Sequence, residues 1–342
     1  MFYVLFVYGF LLSVIYGGWG TAISDVPETL VLVSAGIFAF SFRGQPVLSR
    51  EATAIVLFAV AVLALNLATG GIVLGMPPRY SFSFHLYATG VEVAYGQGVT
   101  KFFAIAAIMS AYLLSIQGAR FRRIILLVLT LVFIGLSLLG GARGDALGLL
   151  LTLFVAYFPK APVKVIVAGV GLYFLGFAIL SLVPHSEDLV LYSRMQSVLS
   201  GSIGVRETLY GDAWELLTSN GKCFVFGCGF NYFQLALAYE VGMYPHNFLL
   251  EYALVWGAPI TFIIVSLFAL GMFADLVLRR QFDGFFLITV YLTFIFLKSG
   301  TVVSGGLFLV GFFYYAARGV LVLTGVRRGS MSFQLKKFGS RI

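Results

Sequence analysis

Long uninterrupted apolar stretches constrain this chain more than any other feature of its sequence. Ten segments approach or exceed the roughly 20 apolar residues that an α-helix needs to cross a bilayer. Because 60% of the residues are hydrophobic and only 11% are charged, a water-soluble fold of this size could not cover itself with polar groups. We therefore predict an all-α polytopic membrane protein and exclude a soluble enzyme, a secreted disulfide scaffold and a disordered chain. The predicted spans lie near Phe2–Gly18, Val26–Phe42, Ala52–Thr69, Val99–Ile116, Ile124–Leu139, Ala142–Phe158, Val165–Val183, Asn247–Ala274, Gly284–Lys298 and Val302–Thr324.

The connectors between these spans alternate in charge. Five of them hold 14 of the 22 Lys and Arg residues, namely 43–51, 117–123, 159–164, 275–283 and the tail 325–342. The connectors on the opposite side hold only four. By the positive-inside rule, both termini face the cytoplasm. The net charge of +8 thus indicates contact with anionic membrane lipid rather than with nucleic acid.

One connector, residues 184–245, is far longer than the others. Loops beyond about 15 residues are usually functional or disordered. This one has apolar residues at helical spacing over Val205–Thr218 and Phe233–Val241, with a glycine-rich aromatic turn between them. We predict that it is a partly helical loop that caps the outer face of a single membrane domain, residues 1–342. Cys223 and Cys228 lie in this loop, and their spacing leaves open whether they pair.

Arg143 and Asp145 stand at the predicted outer start of the sixth span. An ionisable residue costs about 2.5–3.5 kcal/mol at mid-helix on insertion scales, so each one needs a reason. One explanation is an interfacial arginine that reaches lipid headgroups. Residues two apart on a helix point in different directions, so these two are poor partners for each other. We favour a ligand-binding role for both.

His246 follows the long loop directly, in the sequence Tyr244-Pro-His-Asn247. A neutral imidazole near pH 7 is suited to act as the general base for a hydroxyl group. The alternative is a structural histidine whose ring is satisfied by its neighbours. Asn247 is likewise suited to capping the helix that follows it. The residues alone leave both roles of His246 open, and we add Tyr244 and Asn247 as candidate substrate-binding residues.

Arg194 and Arg206 complete a set of three guanidinium groups with Arg143, on a face otherwise poor in cations. A single surface arginine is usually solvated. Three together can hold a phosphate-bearing lipid, because the guanidinium fork matches phosphate oxygens bidentately. The carboxylates of the loop form no recognised metal motif, so we predict neither a metal nor a cofactor.

Four motifs in this part of the chain resemble those of the O-antigen polymerase and ligase (Wzy-type) family. They are GGARG from Gly140, RETLYGDAWELL from Arg206, FGCGFNYF from Phe226 and PHNFLLEYALVWG from Pro245. Their order, spacing and shared side of the membrane together make up the resemblance, which covers residues 124–260. Ala142 stands where the family usually has a serine.

The resemblance implies a GT-C-like fold and a glycosyltransferase of lipopolysaccharide biosynthesis. Donor and acceptor would be glycans on undecaprenyl pyrophosphate, joined at the periplasmic face with inversion and without a metal. Carried over to this sequence, the family motifs imply catalytic roles for Arg143, Arg206 and His246. Arg194 matches a less constant arginine and is added, with Asp145, to the substrate-binding residues.

Three functions remain open at this point. A polymerase would join lipid-linked repeat units to each other, whereas a ligase would transfer finished glycan to lipid A core. We favour the polymerase by analogy, with a chain-length regulator left open as a further partner. A transporter of lipid-linked sugars is disfavoured, because its cations would line a path through the membrane rather than gather at one face.

Overall fold

Apart from one two-residue strand pair, the described part of the computed structural model is helical. The structure describes residues 2–24, 34–35, 37, 39, 49–69, 84–85, 92–93, 96–139, 142–158, 161, 163, 205–240, 243–279, 283–300 and 306–324. The helices are α1 (Phe2–Ser24), α2 (Ser49–Thr69), α3 (Gly96–Ile116), α4 (Arg120–Leu139), α5 (Arg143–Tyr157), α6 (Val205–Ser219), α7 (Gly221–Phe226), α8 (Tyr232–Leu237), α9 (Phe248–Trp256), α10 (Ala258–Arg279), α11 (Gly284–Ser299) and α12 (Gly306–Leu323). Strands β1 (Phe84–His85) and β2 (Glu92–Val93) pair antiparallel, with Phe84 opposite Val93.

Five of the described helices, α2, α3, α4, α10 and α12, are long and apolar enough to cross a membrane. Helices α5 and α11 are shorter but also apolar. Apart from α10, these helices coincide closely with predicted spans, which supports a multi-pass membrane protein. The predicted seventh span, Val165–Val183, lies outside the described residues, as does most of the second, Val26–Phe42.

The eighth predicted span, Asn247–Ala274, was wrong as a single helix. The structure divides it into α9 and α10 at Gly257, whose φ of +85° breaks the helix. A side chain at this position would meet the carbonyl oxygen of Val225, so the turn requires glycine both for its conformation and for its space. Helix α9 is therefore only about 13 Å long, and α10 alone has the length of a span.

The core of the bundle lies around α3 and α11, whereas α2 and α4 expose much of their apolar surface. Hydroxyl groups join the neighbouring helices α3 and α4. Ser110 donates to the carbonyl of Leu126 (3.0 Å), and Ser137 donates to the carbonyl of Thr100 (3.1 Å). Such hydrogen bonds stabilise helix pairs where there is no water to compete for the same groups.

The described part of the long loop packs on α1 and α9. Helix α6 buries Leu209, Ala213 and Leu217 in a small cluster with Leu254 of α9. Helix α8 is shorter than the predicted Phe233–Val241, because the chain turns at Ala238 with a φ of +53°. Helix α7 occupies residues that the sequence analysis assigned to a turn.

A tight junction, residues 227–230, holds this loop against the bundle. The amide of Cys228 donates to the carbonyl of Leu254 on α9 (2.6 Å). The amide of Phe230 donates to Oγ of Ser13 on α1 (2.7 Å), and a side chain at Gly229 would collide with that residue. Cys223 and Cys228 form a disulfide, which closes α7 onto the junction. The fold therefore fixes the loop at both α1 and α9.

Helices α10 and α12 approach more closely than side chains would allow. A methyl group at Gly271 would overlap the carbonyl oxygen of Tyr315, and one at Gly319 would overlap that of Leu267. Glycine at helix crossings lets the two backbones meet. The contact aligns Asp275 with Arg318, which form an ion pair at 2.5 Å.

We expect Gly271→Ala to destabilise the protein by about 1–3 kcal/mol, because the added methyl group must push the two backbones apart. Thermal unfolding of the purified protein in detergent measures this effect as a lower Tm. Gly135→Ala on α4 is the control, since nothing lies within 4 Å of its new methyl group. An unchanged Tm for Gly271→Ala would contradict the close crossing.

Candidate functional site

His246 lies in a tight turn immediately before α9. Its φ of +57° places its backbone in the left-handed region, which histidine adopts more readily than most residues. The next residue, Asn247, caps α9, because its side-chain oxygen accepts from the amides of Leu249 (2.9 Å) and Leu250 (3.3 Å). The ring of Tyr244 lies 4.0 Å, centroid to centroid, from the imidazole. The turn and the aromatic neighbour thus fix the direction of the imidazole.

Burial lowers the pKa of His246 below its usual 6.5, and the nearby positive charge of Arg206 lowers it further. Both effects disfavour the imidazolium, because a second positive charge is costly in a partly desolvated site. Among the described residues, no hydrogen-bond partner reaches the buried Nδ1 of His246. A neutral imidazole at pH 7 follows, and this is the form that can accept a proton.

Tyr210 joins three separate elements at this site. Its hydroxyl, on α6, lies 3.0 Å from the carbonyl oxygen of Lys298 at the end of α11 and 3.3 Å from that of His246. Burial raises the pKa of Tyr210, so the hydroxyl stays protonated and remains a donor. The hydroxyl therefore holds the start of α6, the His246 turn and the end of α11 together.

Asp145 and Lys298 form an ion pair across the bundle. The ammonium nitrogen of Lys298 lies 3.5 Å from Oδ1 of Asp145, and the carboxyl side chain is completely buried. Removing one partner of such a pair typically costs several kcal/mol, because it leaves an uncompensated charge. The pair thus links the start of α5 to the end of α11, beside Tyr210.

Two further cations act on Lys298. The positive charges of Arg206, on α6, and Lys101, near the start of α3, both repel its ammonium group, whereas Asp145 attracts it. Arg206 also acts on His246. Basic side chains from three helices and one imidazole therefore converge at one end of the bundle.

The structure brings some of the predicted site residues together, whereas others are not described by it. Arg206 and His246 come together, and Tyr244 and Asn247 lie beside them. Asp145 pairs with Lys298 of α11. The backbone of Arg143 begins α5 at the same end, but its side chain is outside the described structure, and Arg194 lies outside the described residues altogether.

The sequence analysis did not assign roles to Lys298 and Tyr210. Lys298 is the only charged residue in the predicted ninth span. Because a cation at the edge of the membrane needs a partner, its position alone could have indicated a functional or structural role. Tyr210 gave no such signal, because a tyrosine in an amphipathic helix is ordinary. Its importance depends on two carbonyl groups that are distant in sequence.

In the described part of the chain, no group of three or more His, Cys, Asp or Glu side chains is arranged to hold a metal ion. The chemistry available at this end of the bundle is the binding of anions by cations and the transfer of a proton to an imidazole. Comparison of the chain with protein-family models, with curated proteins and with solved structures gives no match. A functional assignment therefore begins from the geometry of this site.

We expect Tyr210→Phe to lower the free energy of unfolding by about 1 kcal/mol or more, because two carbonyl groups lose their shared donor. Thermal unfolding of the purified variant measures this change. Tyr232→Phe is the control, since its hydroxyl makes no hydrogen bond within the described residues, and its Tm should match the wild type. Equal Tm values for both variants would show that the Tyr210 link is unimportant.

Proposed function

We propose that this protein is a membrane-embedded glycosyltransferase of the O-antigen polymerase type. In this proposal it joins oligosaccharide repeat units on undecaprenyl pyrophosphate at the periplasmic face of a bacterial inner membrane. The observation that supports it most is the convergence of Arg206, His246 and Lys298 around Tyr210. The site offers positive charge for a diphosphate and a neutral base for a hydroxyl group, which are the two needs of this reaction.

The reaction requires one bond to form as another breaks. The acceptor hydroxyl oxygen attacks the anomeric carbon of the donor from the side opposite the diphosphate, which inverts that centre. His246 takes the hydroxyl proton as the new bond forms. The carbon–oxygen bond to the diphosphate breaks, and its electron pair leaves with the diphosphate oxygen.

Arg206 stabilises this leaving group, and the proposal assigns the same task to Arg143 at the start of α5. Fixed donors near a developing negative charge are worth a factor of about 10²–10³ in rate for each donor removed, by analogy with oxyanion holes. The repulsion between Arg206 and His246 keeps the base neutral before the proton is transferred.

The disulfide supports a periplasmic location for this end of the bundle. Cys223 and Cys228 are paired in the loop next to the site. Disulfides persist in oxidising compartments such as the bacterial periplasm and are rare in the cytosol. The paucity of Lys and Arg in the connectors on the loop side supports the same orientation.

The test is a transfer assay with defined substrates. Purified protein in nanodiscs is mixed with one synthetic undecaprenyl-pyrophosphate-linked repeat unit, and the products are analysed by mass spectrometry. We expect a ladder of products spaced by the mass of one repeat unit, with release of undecaprenyl pyrophosphate. Products that form only when lipid A core is added would indicate a ligase instead, and no glycan transfer in either mixture would contradict the proposal.

We expect His246→Asn to abolish most of the turnover, by a factor of about 10²–10⁴, because the general base is lost. Asparagine tolerates the left-handed backbone that His246 adopts, so this variant separates the loss of the imidazole from backbone strain better than alanine does. Donor binding and Tm should stay close to the wild type. Retained turnover would rule out the base assignment.

The pH profile checks the electrostatics of the same base. Because the pKa of His246 is lowered, we expect turnover to decline at lower pH than it would for an ordinary histidine acting as the base. Arg206→Gln removes the repulsion, so the pKa should rise and the decline should begin at higher pH in the residual activity. Arg206→Lys keeps the charge and should keep the wild-type pH profile. Identical profiles for all three proteins would disprove the coupling.

A further inference from the structure

Lys298 is placed between a buried partner and the open side of the site. The side chain of Asp145 is 0% exposed, whereas that of Lys298 is 31% exposed. The carboxylate therefore contacts the ammonium group of Lys298 from its buried side. An ammonium group has three N–H donors, and one carboxylate oxygen at 3.5 Å occupies at most part of this capacity.

Gly144 determines the path of this lysine. The side chain of Lys298 passes directly over the Gly144 Cα, where a methyl group would overlap its Cδ, Cε and Nζ atoms. Any residue other than glycine at this position would force the end of the Lys298 side chain to move. The glycine between Arg143 and Asp145 is thus explained by a contact with a helix that is distant in sequence.

The charges around Lys298 do not balance within the described structure. Three cations, Lys298, Arg206 and Lys101, stand against the single carboxylate of Asp145. Among these four groups two positive charges are left over, and both Arg206 and Lys101 repel the ammonium group of Lys298. A diphosphate that links a lipid to a sugar carries two negative charges, so it would neutralise this excess.

We infer that Lys298 is a ligand of the lipid-linked diphosphate, and that Asp145 and Gly144 are positioning residues that hold its ammonium beside Arg206. The inference rests on the proposed function and extends its phosphate site to a helix that the sequence analysis left unused. As the carbon–oxygen bond breaks, the electron pair moves onto the diphosphate, and Lys298 donates an N–H to the oxygen that gains charge.

The simpler explanation is that Lys298 only neutralises Asp145, and one double variant separates the two explanations. Asp145→Asn with Lys298→Gln removes one charge of each sign, so two positive charges remain and no buried carboxylate is left uncompensated. If Lys298 is structural only, this variant should bind the diphosphate as the wild type does. If Lys298 is a ligand, affinity should fall about tenfold to a hundredfold, as for the loss of a charged hydrogen bond.

The probe is undecaprenyl diphosphate, titrated into purified protein in nanodiscs that contain phosphatidylglycerol in excess. This background removes binding that any anionic lipid could provide. The matched control is Asp275→Asn with Arg318→Gln, which neutralises the other described buried ion pair. That pair lies at the opposite end of α11, near Asp283, so its neutralisation should leave the affinity unchanged. Tm values confirm that both double variants are folded.

A second pair of variants tests the positioning without altering any charge. Gly144→Ala should weaken binding of undecaprenyl diphosphate to a similar extent, because the methyl group displaces Lys298. Gly148→Ala, one turn further along α5, is the control. Its methyl group would lie 3.4 Å from Phe294, an ordinary contact, so its affinity should equal the wild type.

Wild-type affinity in the Asp145/Lys298 double variant would overturn the inference, as would equal losses in the two double variants. These outcomes differ from a failure of the proposed function. If the wild-type protein binds undecaprenyl diphosphate in a Lys298-dependent way but transfers no glycan, the inference stands and the proposed function does not. If it transfers glycan and the double variant binds normally, the reverse holds.

Discussion

A carboxylate enclosed among apolar helices is costly unless a cation reaches it, and this requirement organises the site end of the bundle. Asp145 is fully buried, and Lys298 meets it from the end of α11. The pair brings the start of α5 to the end of α11, with Gly144 leaving room for the lysine stem. Tyr210 then donates to the carbonyl groups of Lys298 and His246. The position of the imidazole thus depends indirectly on the burial of one charge.

The long loop supplies the second half of this arrangement, and glycine makes it possible. Gly227, Gly229 and Gly257 all have positive φ, and a side chain at any of them would meet backbone atoms of a neighbouring segment. These close contacts hold the junction, residues 227–230, against both α1 and α9. Because α9 begins directly after His246, the same packing that holds the loop also fixes the base. A rigid support of this kind is what preorganised electrostatics require.

Local patterns predicted much of this structure. Apolar runs gave the described membrane-length helices other than α10 to within a few residues, and apolar spacing gave α6 almost to the residue. The capping role of Asn247, which the sequence left open, is confirmed. The prediction of one continuous helix was wrong at Gly257, where the sequence remains hydrophobic although the helix ends. Gly257 is needed there because a side chain would meet the carbonyl oxygen of Val225, a residue distant in sequence.

The candidate site was likewise predicted from the sequence only in part. Transfer free energies add residue by residue along the chain, so the sequence alone indicates apolar helices long enough to cross a membrane. For the same reason it identifies unusual ionisable residues, namely Arg143, Asp145, Arg206 and His246. The pairing of Asp145 with Lys298, and the hydrogen bond from Tyr210 to the carbonyl group of Lys298, were decided only by the packed bundle. Electrostatic and hydrogen-bond energies depend on distances between atoms, and the sequence alone does not contain those distances.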